Sequence, residues 1–87
     1  MKVREGFMLR KIADVHVVVP VGESSIDFNG IITLNETAAF LFQQLLEGTS
    51  KERLLEELLQ EYDIDQKSAQ SDIEDFCGQL REAGLIA

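Results

Sequence analysis

The spacing of apolar residues changes partway along the chain. Up to Leu34 they come in short runs rich in β-branched residues, and after Asn35 they recur every three or four positions. The first pattern belongs to strands and the second to helices. "FMLRKI" and "VHVVVPV" flank a two-residue link, Ala13-Asp14, and read as a hairpin. Pro20 has no N–H for a ladder, so it marks the end of the second strand or an unpaired position in it. "GESSIDFNG" is a loop bounded by Gly22 and Gly30, with Ile26 and Phe28 alternating as a short extension of the sheet. "IITL", residues 31–34, is the third strand.

Three helices are expected next. The first runs from Glu36 to about Glu47 behind Asn35, whose side chain can accept an exposed backbone N–H. Ala38, Leu41, Phe42 and Leu45 form its stripe, and Gly48 stops it. "TSKE" opens the second, with Thr49 and Glu52 spaced as a capping box. Leu54, Leu55, Leu58, Leu59 and Tyr62 make its apolar face. Asp65 caps the third, where Ala69, Ile73, Phe76, Cys77, Leu80 and Ala83 share one face. Gly84 fits a left-handed stop, and Leu85 after it can fold back on Leu80. Gly78 inside this helix is either a tolerated solvent-facing position or a place where another backbone comes close.

The order is therefore β-β-β-α-α-α. The fold class is α+β and winged-helix-like, a three-stranded antiparallel sheet followed by a three-helix bundle. The 87 residues suit one domain with a thin core, residues 1–87. This plan leaves "IITL" exposed to pairing, since neither Lys nor Pro guards it. One remedy is a strand from another chain. The third helix would then wall the same groove, with Ile73, Phe76, Cys77 and Leu80 as its floor; ordinary core packing explains the same four residues.

Charge narrows the choice of partner. The net charge is −8, from 8 Lys and Arg against 16 Asp and Glu. Residues 1–14 hold four bases and two acids, and the rest holds four bases and fourteen acids, so the halves carry +2 and −10. Nucleic-acid affinity rests on phosphate neutralisation, so a body this acidic argues against DNA or RNA. No apolar run approaches the ~18 residues of a membrane span, and the start lacks the apolar stretch of a signal peptide. A single Cys excludes an internal disulfide, and the chain reads as cytoplasmic.

Catalytic chemistry is hard to assemble. His16 is the only His and Cys77 the only Cys, with no third orienting group indicated. Cys77 reads as a small core hydrophobe and His16 as a strand residue with an outward ring. "DID" and "EDF" lack the spacing of a Ca²⁺ loop, and "NGIITLNET" lacks the Lys of a phosphate loop. No catalytic residue, metal site or cofactor is expected.

The stretch from "GIITLNETAAFLF" through "LLEGTS", "EYDID" and "SDIEDF" to the closing "GL" resembles the pyrroloquinoline quinone synthesis protein D family. "FMLRKIADVHVVVPVGESSIDFNG" fits that family's variable N-terminal hairpin, so the resemblance covers nearly the whole chain. Phe42 stands where the family often has Trp, and Cys77-Gly78 where a Leu-led pair is more usual. The resemblance implies a peptide-recognition element of ribosomally made, post-translationally modified peptides. Such proteins bind a precursor's leader segment as an added strand and present it to a modifying enzyme, often a radical S-adenosylmethionine protein. Carried over by position, the strand contacts are Ile31, Ile32 and Thr33. The helix contacts are Ala69, Asp72, Ile73, Phe76, Cys77 and Leu80.

The expected function is a non-catalytic peptide chaperone. A winged-helix DNA-binding regulator is the alternative, but helix three offers two bases (Lys67, Arg81) against four acids (Asp72, Glu74, Asp75, Glu82). A small enzyme is the third class. Without a client, the open strand could also pair with itself in a homodimer.

Overall fold

The computed structural model describes residues 1–22 and 31–86. Three strands, β1 (Phe7–Ile12), β2 (Val15–Pro20) and β3 (Ile32–Leu34), precede three helices, α1 (Glu36–Glu47), α2 (Lys51–Glu61) and α3 (Gln66–Glu82). The sheet is antiparallel with β2 in the middle. This is the expected α+β arrangement. The loop expected from Gly22 to Gly30, with its extension at Ile26 and Phe28, lies outside the described residues apart from Gly22.

Ile12 pairs with Val15, so Ala13-Asp14 is the two-residue hairpin turn. Ala13 takes φ 55, a left-handed conformation that costs a residue bearing a Cβ. Pro20 closes β2, as expected.

Strand alternation sorts the side chains of β2. Val18 is fully buried against the helices. His16, two residues earlier, shares its side and sits opposite Leu34, half-buried. The outward ring expected for His16 is therefore corrected. The continuous apolar run Val17-Val18-Val19 hides which parity faces in. Val15, Val17 and Val19 take the opposite face, where Met8, Ile12 and Val15 are exposed.

Local chemistry sets the helix ends. The Asn35 side chain accepts the Ala38 N–H at 2.8 Å, and that of Asp65 accepts the Ser68 N–H at 2.8 Å. Ser68, by its side chain first and its backbone N–H second, holds the Asp65 carboxyl below the usual carboxylate range. At α2 the expectation is corrected by one residue: Ser50, not Thr49, is the N-cap, accepting the Arg53 N–H at 3.2 Å. Thr49 is held instead by the N-terminal segment, donating its N–H to the Met1 carbonyl at 2.8 Å.

That segment is part of the core. Val3 is buried; its N–H donates to the Leu45 carbonyl, and the Arg4 N–H donates to that of Leu85. From the helices, Ala39, Leu41, Phe42 and Leu45 of α1, Leu54 and Leu58 of α2, and Ala69, Ile73, Phe76, Cys77 and Leu80 of α3 are buried. Ala38, Leu55, Leu59 and Tyr62 pack half-buried at its margin. Tyr62 sets its ring edge-on to Phe40 at 5.8 Å between centroids. After α3, Gly84 adopts φ 82, its N–H reaches the Arg81 carbonyl, and the Leu85 N–H reaches that of Leu80 at 2.9 Å. This paired bonding ends the helix and returns Leu85, fully buried, onto the bundle.

Candidate peptide-binding site

The sheet has two edges. β1 forms one and carries Arg10 and Lys11, charges of the kind that discourage pairing with another strand. β3 forms the other and, among the described residues, pairs only with β2. Its residues Ile32, Thr33 and Leu34 lie opposite Val18, Val17 and His16. On its far side no described strand continues the ladder. Ile31 precedes β3 rather than joining it, and is 62% exposed.

A groove opens where β3 ends. Asn35 directly follows Leu34, and with Thr37, Ala38 and Leu41 it forms one wall. Asp72, Asp75, Phe76 and Gln79 of α3 form the other, around a volume of about 210 Å³. Leu41 and Phe76 supply an apolar floor, and Asp72, Asp75 and Gln79 stand exposed at the rim.

The expected helix contacts divide among three surroundings. Asp72 and Phe76 line this groove. Ile73 lines a second hollow of about 380 Å³ on the flank of α3 that faces α2, shared with Lys51, Glu52, Leu55, Gln70 and Glu74. The Lys51–Glu74 ion pair at 3.0 Å spans that hollow. Ala69, Cys77 and Leu80 are fully enclosed, so they support the floor from beneath rather than forming its surface. Thr37, Asp75 and Gln79 escaped the sequence reading as site residues, as did Asn35 beyond its role as a cap. The helical spacing held the signal for two of them, since Asp75 and Gln79 follow Asp72 at i+3 and i+7.

Cys77 is fully buried. Burial pushes its thiol pKa up, only partly offset by Lys51 and Arg81, and it packs as an apolar group. Among the described residues no group of three or more His, Cys, Asp or Glu could hold a metal ion. No described helix is long and apolar enough to cross a membrane.

Residues 16–86, from the middle strand to the end of the bundle, match the family model for coenzyme PQQ synthesis protein D. The chain belongs to the PQQ synthesis protein D family. Two solved structures share the fold of this PQQ synthesis protein D family member. One is TbiB1 in complex with the TbiA(beta) leader peptide, 21% identical, with a TM-score of 0.76 over 98% of this chain and 93% of that one. The other is a lasso peptide synthetase B1 complexed with the leader peptide, 25% identical, with a TM-score of 0.76 over 97% of this chain and 93% of that one. No curated protein matches the sequence.

Proposed function

We propose that this chain is a peptide chaperone that binds the leader segment of a ribosomally made precursor and presents it to a modifying enzyme. The leader adds to β3 as a fourth strand and sets alternate side chains against α3. Main-chain hydrogen bonds supply affinity, and the groove supplies selectivity. The observation that carries the reading is the edge of β3, unpaired among the described residues and followed at Asn35 by an apolar-floored groove between α1 and α3. Family membership and the leader peptides bound to the two similar structures support it.

The chain acts as one recognition domain, without catalysis, in the cytoplasm. Its enzyme partner is a radical S-adenosylmethionine protein, the modifying enzyme that the family resemblance brings with it. Ile31, Ile32 and Thr33 meet the leader's backbone; Asp72 and Phe76 meet its side chains. When no leader is bound, β3 is open to a second copy, and a light-scattering dilution series will register that dimer. Fluorescence anisotropy with the labelled leader of the cognate precursor tests the function. Saturable binding is expected, with no shift of duplex DNA at physiological salt. DNA binding with a steep salt dependence, and none of the leader, would overturn the reading.

A further inference from the structure

The groove between the start of α1 and α3, just past the end of β3, has apolar, neutral polar and acidic lining but no Lys or Arg. Asp72 and Asp75 stand exposed on its α3 wall, beside the buried ring of Phe76. Among the described residues neither carboxylate forms an ion pair or a hydrogen bond. Of the cations on α2, Lys51 pairs with Glu74 on the other flank of α3, and Arg53 with Glu56 and Glu57.

Two acids three residues apart lie about 5 Å apart along a helix and repel one another. A cation held between them relieves that repulsion. An added strand sends alternate side chains to the same face, about 7 Å apart.

We infer that the leader this chain takes carries an apolar residue and, two positions away, a Lys or Arg. The apolar side chain rests on Phe76 and Leu41, and the cation sits between Asp72 and Asp75. An acidic leader would meet these two carboxylates and the field of a chain of net charge −8. The inference rests on the strand-addition reading and adds to it the chemistry of the client.

Phage-displayed random 12-residue peptides, selected in parallel on the full chain and on an Asp72→Asn/Asp75→Asn variant, test it. Both substitutions are exposed and nearly isosteric, so the fold is kept. The expected result is enrichment of Lys or Arg two residues from an apolar position on the wild type alone. A synthetic winner should lose about five- to tenfold in affinity on the variant, or when its Lys becomes Gln. The two changes together should cost little more than either one. Neutral or acidic winners, or a basic winner that binds both proteins equally, would overturn the inference. Amide shifts separate that failure from failure of the groove. Neutral peptides that move residues 31–34 overturn only the charge rule. Winners of any charge that leave those residues unmoved overturn the groove and the rule together, as would the absence of any enriched peptide.

Discussion

Ile32 of β3 lies opposite Val18 of β2, and on the other side of Ile32 no described strand continues the sheet. Both backbone polar groups of a strand residue point to the same side, and the side alternates from one residue to the next. Of Ile32 and Thr33, one therefore bonds toward β2 and the other presents its N–H to the open edge.

Proline at the two positions separates these roles. Proline removes the N–H and cannot continue a ladder. One of Ile32→Pro and Thr33→Pro should lower the melting temperature by breaking the β2 pairing. The other should melt close to wild type and abolish leader binding, with circular dichroism confirming the fold. Full leader binding in both variants would remove β3 from the site.

Gly78 sits within α3, where an added Cβ would meet nothing within 4 Å. Gly78→Ala should therefore stabilise the chain by up to about 1 kcal/mol through better helix propensity, roughly 4–8 °C in melting temperature. Leader affinity should not change. A stabilised variant that binds leader more weakly would show that Gly78 gives the peptide backbone room.

Ala13 is strained where glycine would not be. Left-handed φ costs an L-residue roughly 1–2 kcal/mol, and glycine gives back part of that as unfolded-state entropy. Ala13→Gly should gain about 0.5 kcal/mol, or about 2–4 °C in a thermal melt, with binding unchanged. A loss of stability would mean that the turn is held by something other than its backbone angles.

Cys77 answers to pH and to polarity. Burial holds the folded thiol pKa above its unfolded value. Its contribution is therefore fully present below the unfolded thiol pKa of about 8.5, and is lost as pH rises through the folded value. Melting temperature should fall more steeply above about pH 8.5 in wild type than in Cys77→Ala; parallel profiles would contradict this. Cys77→Ser, which places a hydroxyl in an apolar site, should cost about 1–3 kcal/mol at neutral pH.

The elements were legible because each was written locally. The change of apolar period separates Leu34 from Glu36, and Asn35, Asp65 and Gly84 mark helix ends by chemistry confined to one turn. Less local features were hidden. Nothing periodic marks Val3, yet its N–H and that of Arg4 tie the first residues to the bundle. The same segment takes the Thr49 N–H, and Ser50 caps α2 in place of Thr49. The candidate site was legible as a strand edge and a helix, but not as a surface. A helical stripe shows that Ile73, Phe76 and Cys77 face inward; it does not show that Ile73 lines the α2 flank, Phe76 the α1 flank, and Cys77 neither.

Amide hydrogen exchange with and without the bound leader peptide tests strand addition most directly. In the free chain, the amide that points outward from β3 between Ile32 and Leu34 should exchange quickly, while its neighbours bonded to β2 are protected. With leader bound, that amide should gain protection in step with occupancy, and amides around Asp72–Gln79 should shift. Protection confined to α2 and its hollow, with residues 31–34 exchanging as fast as before, would contradict the account.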